Sequence, residues 1–507
     1  MTHPSSAPSD TGRHSGSHRP DGSDGPDPRR WKALAVCLVA GFMTLLDVSI
    51  VNVALPSIEK GLGASPSDLQ WVVSGYALTF GLVLVPSGRL GDATGRRRMF
   101  VAGVVVFGVA SLLCGLATTS SLLVAARLLQ GIGGGLLNPQ VSGLIQALFH
   151  GRERAKAFGL LGATIGISTA VGPIAGGVIL SLLGADEGWR WIFVVNLPVA
   201  VAAVVLALRW IPAHARAEGE QDGGGADGAR RRRTDLDPVG VGLLGAGVLA
   251  LLLPLVESGR GGGSSTVPGW VAAVGAGLLG VFVLWEHRYS ARGRTPLVDL
   301  GLFALPGYAS GAVVATVYFS GFTGIFFVLT VYLQQGLGYS PLLAGLAVTP
   351  FAGGSAVMSA VGGRLVTRFG RSLVTWGLVL VVVGLVATDL VLSSVQGPAT
   401  GWWAALPLLV AGLGSGMVIS PNITLTLAEV PVRRAGTAGG VLQTGQRIGT
   451  AAGIALVGTV FFAHLRHDPA DAAAVSLRVA TGLVVLSLLA SLADVWLRRR
   501  SDQQGRA

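Results

Sequence analysis

Charge is what this chain has least of. Asp, Glu, Lys and Arg make up 12% of its 507 residues, where a soluble domain carries about 25%. Soluble cores of this total size need the missing charge on their surface, so an ordinary cytosolic enzyme is excluded. A disordered chain is excluded as well, because 51% of the residues are hydrophobic and disorder requires few of them. Cysteine is nearly absent: Cys37 and Cys114 lie inside apolar runs without framework spacing. They read as small buried hydrophobes, not as a disulfide or metal site, and no metal or cofactor is expected. Lysine is almost as scarce. Lys32, Lys60 and Lys156 are the whole set and none sits in a P-loop pattern, so the chain is not its own ATP-driven pump. None of the eight histidines falls in the middle of an apolar run, which leaves a histidine proton relay unsupported. What remains is a polytopic membrane protein.

Apolar runs of the length needed to cross the hydrocarbon, about 20 residues, recur along the chain. They place fourteen spans: 32–56, 68–88, 99–118, 121–148, 157–184, 190–210, 238–256, 269–286, 308–334, 340–363, 373–393, 402–427, 436–463 and 473–497. Helices are required, because only helices or closed barrels satisfy their backbone in lipid and the alternating strands of a barrel are missing. The net charge of +11 and pI near 10.5 would suggest nucleic acid in a soluble protein. Here the basic residues sit in short loops instead. With an internal N-terminus, clusters such as Arg96 to Arg98, Arg230 to Arg233 and Arg498 to Arg500 all fall inside. Only Lys60, Arg190, Arg260, Arg466 and Arg478 fall outside, and Arg127 and Arg447 lie within spans. That bias obeys the positive-inside rule and puts both termini in the cytoplasm.

The expected organisation is a cytoplasmic tail over 1–30, a six-helix bundle over 31–211 and a cytoplasmic linker over 212–237. Two additional helices follow over 238–303, then a second six-helix bundle over 304–497 and a tail over 498–507. An internal repeat supports this division. GRLGDATGRRR (Gly88 to Arg98) after span 2 matches GRLVTRFGRS (Gly363 to Ser372) after span 10. GIGGGLLNP (Gly131 to Pro139) in span 4 matches GLGSGMVISP (Gly412 to Pro421) in span 12. Spans 2 and 4 correspond to spans 10 and 12, which makes a six-helix unit, an added pair, and the unit again. Repeats of this kind build transporters whose substrate site lies between the halves.

From about Trp31 to Trp496 the sequence resembles the major facilitator superfamily, and within it the fourteen-span drug:proton antiporters. LDVSIVNVALP (Leu46 to Pro56) is similar to the signature of that group, with Ser49 where Thr is usual. GRLGDATGRRR resembles the superfamily loop motif, with Ala93 replacing a basic residue. Arg127, Gln130, Gly131 and Gly133 match the span 4 motif. Gly159, Gly172, Pro173, Gly176 and Gly177 match the span 5 antiporter motif, with Ser168 in place of a glycine. WRWIFVVNLP (Trp189 to Pro198) and YLQQGLGYSPLLAG (Tyr332 to Gly345) are similar to the group as well. The resemblance implies a major facilitator fold: an all-α membrane protein of two six-helix bundles plus two helices.

Asp47 is the one carboxylate placed near the middle of a span. Charge there costs roughly 2.5–3.5 kcal/mol on insertion scales, so the group is expected to be neutral, paired or water-lined, as proton coupling requires; a neutral Asp packed against a neighbour is the alternative. Arg127, Gln130, Gly131, Gly134 and Asn138 share one face of span 4. The resemblance implicates Arg127 in proton transfer; an arginine keeps its own proton, so its expected role is to tune a carboxyl or order water. Asn52, Gln130, Gly131, Gly134, Asn138 and Arg447 are candidates for the substrate cavity, with Arg447 either facing it opposite Asp47 or bonding a carbonyl. Trp71, Tyr76, Tyr318, Tyr332 and Phe351 either line it or pack. Gly88, Arg89, Asp92, Gly95 and Arg96 form a candidate gating loop in which Asp92 caps a helix or pairs with Arg as a latch. Gly172, Pro173, Gly176 and Gly177 form a kink that shapes the cavity or serves packing. Asp389, Glu257 and Glu286 sit near span ends and are expected at the interface.

These readings converge on a proton-coupled antiporter that exports bulky apolar or cationic drugs or antibiotics across the bacterial cytoplasmic membrane. It is expected to be monomeric, in lipid, and without a nucleic-acid partner or catalysis. A charge moving through 100 mV releases about 2.3 kcal/mol, enough for a roughly fifty-fold gradient per proton. The alternatives are a symporter or an exporter of an endogenous metabolite on the same fold. Three lysines beside 34 arginines, with 76 glycines, are typical of a GC-rich genome, and antibiotic self-resistance is an expectation by association with that.

Overall fold

The computed structural model describes residues 29–184, 187–212, 237–258, 267–294, 296–395, 397–465 and 468–504. The expected N-terminal tail, nearly all of the linker and the last residues of the C-terminal tail lie outside these. Among the described residues every regular element is helical. The helices are α1 (Arg30–Leu62), α2 (Pro66–Thr94), α3 (Arg96–Gly115), α4 (Ser120–Leu148), α5 (Gly151–Leu183), α6 (Gly188–Val194) and α7 (Asn196–Trp210). After the linker come α8 (Pro238–Ser258), α9 (Trp270–Ala291), α10 (Pro306–Val331), α11 (Pro341–Phe369), α12 (Arg371–Ser394), α13 (Thr400–Ala428), α14 (Ala435–Leu465) and α15 (Pro469–Gln504). Twelve segments among them are long and apolar enough to cross a membrane. Leu, Val and Trp side chains point outward along them: Trp402 is 85% exposed and Trp270 66%, as lipid and its interfaces favour.

Local sequence explains where helices begin and break. Ser65 accepts from the Asp68 amide while Asp68 accepts from the Ser65 amide, a capping box that opens α2 and holds the Asp68 carboxyl below its ordinary value. The run expected as one span over 190–210 is two helices broken at Val195. Pro198 has no N–H to give the Val194 carbonyl, so the ladder fails one turn earlier. The break puts Asn196 at the first position of α7, with its side chain 2% exposed inside the protein.

The motif expected as a loop after span 2 is helical through Thr94, and its second copy is helical through Phe369. The charges mark where the apolar segment ends, and the helix runs on for more than a turn beyond it. The turn itself is one residue in each copy: Gly95 with φ 111° and Gly370 with φ 52°. Only glycine holds such a backbone without strain.

Packing divides the helices into two groups. In the first, α4 lies against α2 and α3, and α1 against α5 and α7; in the second, α13 lies against α11 and α12, and α10 against α14 and α15. Glycine makes both centres close. A Cβ on Gly131 would lie 2.4 Å from the Tyr76 carbonyl oxygen, and one on Gly133 2.5 Å from the Phe107 nitrogen. In the second copy, a Cβ on Gly412 would lie 2.1 Å from the Phe351 carbonyl oxygen and one on Gly414 2.5 Å from that of Gly377. The repeated glycine-rich motif thus does the same packing work in each half. The halves meet where α5 crosses α11 and α13, and where α14 crosses α2 and α4. The α8–α9 hairpin attaches outside the second seam through α8, on α14 and α2.

Candidate functional site

Asp47 lies halfway along α1 and is 0% exposed. Its Oδ2 accepts from Arg127 Nη1 of α4 at 2.5 Å, and its Oδ1 accepts from Gln130 Nε2 at 2.8 Å and Asn196 Nδ2 at 3.0 Å. Arg127, 1% exposed, also donates through Nη1 to Gln130 Oε1 at 2.5 Å and through Nε to the Val72 carbonyl at 2.8 Å. Its guanidinium lies 4.4 Å from the ring centre of Tyr76. Gln130 donates onward to Ser111 Oγ of α3 at 2.7 Å. Five helices therefore supply one buried network: α1, α2, α3, α4 and α7. Taking such a pair out of water is expensive and is recovered only when every lone pair and N–H is used, and here the carboxylate has three donors on two oxygens.

This network lies within the first group of helices. Gly131 and Gly134 face α2: a Cβ on Gly134 would come 2.8 Å from the Phe80 ring. Asn138, half-buried, donates to the Gly134 carbonyl at 2.9 Å and to Thr44 Oγ1 of α1 at 3.3 Å. Asn52 lies in α1, one turn beyond Asp47; its side chain is outside the described residues. Arg447 of α14 is on the other side of the seam, half-buried, and its guanidinium lies 4.3 Å from the ring centre of Phe80. So Asp47, Arg127 and Gln130 are brought together, and Arg447 reaches an aromatic face of α2 instead of that carboxylate.

Asn196 completes the Asp47 site and is missed by inspection of charges. Its signal was the family-like segment WRWIFVVNLP, in which Pro198 sets the break that presents it.

At the arginine-rich end of the molecule Asp92 joins the halves. Its side chain is 2% exposed. Oδ1 accepts from Arg96 Nη2 at 2.9 Å and Nε at 3.1 Å, and from the Gly436 amide at 3.2 Å. Oδ2 accepts from the Thr437 amide at 2.9 Å and its Oγ1 at 3.1 Å. Gly436 and Thr437 begin α14, so Asp92 caps a helix of the opposite half, where the helix dipole favours a negative charge. Arg96 adds bonds to the carbonyls of Gly143 at 2.9 Å and Val432 at 2.5 Å. A Cβ on Gly88 would lie 2.4 Å from the Gly436 oxygen, so glycine is needed for this approach. Arg89 and Gly95 flank the contact. The other seam is as close at this end, where a Cβ on Gly363 of α11 would lie 2.4 Å from the Ala155 oxygen of α5.

In α5, Gly172 and Gly176 pack on α1: a Cβ on the first would lie 2.0 Å from Ser49 Oγ, and one on the second 3.1 Å from Ile50 Cγ1. Gly177 faces Leu342 of α11 at 3.8 Å. The helix runs through this stretch, and the Pro173 side chain is outside the described residues. Ser49 donates to the Ser168 carbonyl at 3.2 Å, so the two departures from the family pattern meet each other. Glu286, near the end of its apolar run, is fully buried in the protein: its Oε2 accepts from the Val298 amide at 3.3 Å while Oε1 has no partner among the described residues. It lies beside Asp237, which caps α8 through Gly240 at 2.9 Å and accepts from Trp285 at 2.6 Å.

Residues 37–454 match the model of the Major Facilitator Superfamily. The chain belongs to that superfamily. Among its relatives, the probable actinorhodin transporter of Streptomyces coelicolor is 39% identical over 87% of this chain and 75% of its own. The puromycin resistance protein pur8 of Streptomyces alboniger is 36% identical over 94% of this chain and 93% of its own. The tetracenomycin C resistance and export protein of Streptomyces glaucescens is 31% identical over 85% and 76%. The solved structure of the proton:xylose symporter XylE shares the fold, with a TM-score of 0.65 at 15% identity over 92% of this chain and 95% of that one. The protein is a multi-pass membrane transporter and not an enzyme.

Proposed function

We propose that this transporter is a proton-coupled antiporter that exports antibiotic-like molecules from a bacterial cytoplasm through the cytoplasmic membrane, working as a monomer in lipid. In this reading α8 and α14 cross the bilayer alongside the twelve apolar segments, giving fourteen spans with both termini and the 212–237 linker cytoplasmic. Residues 31–211 and 304–497 are the two moving halves, and 238–303 an added pair. The arginine-rich end is then the cytoplasmic face, and the Asp92 cap on α14 holds it shut.

One observation carries the coupling: the buried Asp47–Arg127 pair with both carboxylate oxygens occupied. A proton arriving on Asp47 removes the charge that Arg127, Gln130 and Asn196 are arranged around. The guanidinium is then an unmatched charge in a low-dielectric site. Helices α1, α4 and α7 must shift to give it water or another acceptor, and that shift is what opens the opposite side. Releasing the proton re-forms the pair and resets the cycle. Arg127 keeps its own proton throughout. Gln130, Gly131, Gly134, Asn138, Asn52 and Arg447 belong to the wall along which this movement is felt, and Gly172 to Gly177 hold α5 close to α1 while it happens. The names of the relatives, for actinorhodin, puromycin and tetracenomycin C, support an antibiotic as cargo.

The test uses proteoliposomes loaded with an imposed pH gradient. Wild type should drive tetracenomycin C against its gradient and dissipate the proton gradient as it does so. Asp47→Asn should insert and fold yet leave drug movement indifferent to the pH gradient. Gradient-driven export by that variant at the wild-type rate overturns the assignment of Asp47; drug moving in the same direction as protons overturns antiport.

A further inference from the structure

Of the two arginines that fall within spans, Arg127 has a carboxylate against it and Arg447 has none among the described residues. Among the described residues Asp47 is matched by Arg127, Asp92 by Arg96, Asp389 by Arg478, and Asp494 by Arg371 and Arg498. Arg447 has no carboxylate among them. It sits in the middle of α14, half-buried, in the seam where that helix crosses α2 and α4. What it meets is the Phe80 ring, 4.3 Å from the guanidinium carbon. A ring face attracts the charge but accepts none of the five N–H donors in the guanidinium plane. An arginine left so in a membrane segment is costly, and its partner is to be sought in what passes through the protein. A cation would find nothing comparable there. The Asp47 carboxylate is 0% exposed and spent on three donors.

We propose that Arg447 is the specificity-determining residue of the transport path and that the cargo is an aromatic organic anion. Its ionised acid, a carboxylate or an acidic phenol, pairs with the Arg447 guanidinium, and its ring system lies against Phe80. The backbone around Arg447 is built for a close approach. Gly445 and Gly449 bring α14 onto Thr316 of α10, where a Cβ on Gly449 would lie 2.1 Å from the Thr316 oxygen. This fixes the position of Arg447 along the seam. The next turns of α10 carry Phe322 and Phe326, which with Phe351 of α11 line an apolar cleft against α5 at the other seam. Among the described residues the two seams thus both offer aromatic surface, and Arg447 sets in one of them a positive charge with no carboxylate against it, the complement of a flat acid and not of a flat amine. The inference deepens the exporter reading and takes from it only the direction of movement.

The probes are anthraquinone-2-carboxylate, its methyl ester, and ethidium, all flat and aromatic and differing in charge. Inside-out vesicles from a host without its own pumps report transport, and tryptophan quenching on the purified protein reports binding. In wild type the acid should be bound at least tenfold more tightly than the ester, and ethidium least. Arg447→Gln should reduce the acid-to-ester ratio at least tenfold, and Arg447→Lys should keep most of the preference. Wild type binding the ester or ethidium as tightly as the acid overturns the proposal, as does a ratio in Arg447→Gln within twofold of wild type. Because binding needs no gradient, these outcomes hold even if the vesicles show no proton-driven export, a result that would instead sink the antiporter reading.

Discussion

Replacing Asp92 with Asn keeps the shape of the side chain and removes the charge that joins the two halves. Three of its donors, the Gly436 amide and the amide and hydroxyl of Thr437, come from the opposite half and are lost whenever the end opens. The others come from Arg96, whose Nη2 also reaches across to Val432. A hydrogen bond to a charged group contributes about 1.5–3 kcal/mol and a neutral one about 1. Asn retains one acceptor oxygen and turns an N–H₂ towards donors, so the sealed state loses about 2–3 kcal/mol relative to the open one. That shifts the equilibrium about 30- to 150-fold. Ser142→Cys reads the shift. Ser142 is 4% exposed on α4, under Gly439 of α14, and the native Cys37 and Cys114 are 1% and 0% exposed, so background labelling is low. In inside-out vesicles a membrane-impermeant maleimide should label Asp92→Asn/Ser142→Cys faster than Ser142→Cys alone by a factor approaching that range. Equal rates within twofold, in protein that still elutes as a single folded species, would show that the carboxylate is not what holds this end shut.

Three further outcomes follow from the packing and the buried polar groups. Gly131→Val adds a side chain where a Cβ already meets Thr79 and Tyr76; overpacking of this kind costs about 1–3 kcal/mol, so detergent-solubilised Tm should drop by several degrees, and an unchanged Tm would refute the close approach of α4 to α2. Asn196→Ala removes one of three donors to Asp47. Losing a bond of about 1.5–3 kcal/mol should reduce gradient-driven export about tenfold or more, whereas full export would leave Asn196 outside the coupling site. Glu286→Gln removes one of two like charges that crowd Gly240, and it gives the amide a donor beside Asp237. Its Tm at pH 8 should exceed that of wild type; a lower Tm would mean that the Glu286 charge is needed where it stands.

Much of this could be read from the chain because lipid makes strong demands of sequence. Asp47 and Arg127 stand out as charges in apolar runs, and their meeting is what the cost of burying either alone requires. The two GR-L-GR motifs and the two glycine-rich runs disclosed a repeated unit, since helices can approach closely only where side chains are missing. Other features had no such mark. Asn196 is one polar residue in an aromatic segment, and its reach depends on a break that Pro198 imposes from two residues away. The end of α2 lies beyond its apolar run, because hydropathy reports the edge of the membrane while hydrogen bonding decides the end of the helix. The burial of Glu286 is not marked either: it stands near the end of an apolar run, and Asp237 and the segment at Val298 cover it, a contact between parts more than ten residues apart. The ring under Arg447 was equally out of reach, since α2 and α14 are separated by most of the chain.

The protonation event itself is the most direct test. With purified protein in weakly buffered detergent solution and a pH-sensitive dye, adding tetracenomycin C should release protons into the medium from wild type as cargo and hydrogen ion exchange places. Asp47→Asn should bind the drug and release none. Drug-induced release of the same size from that variant would contradict the assignment of the exchanged proton to α1.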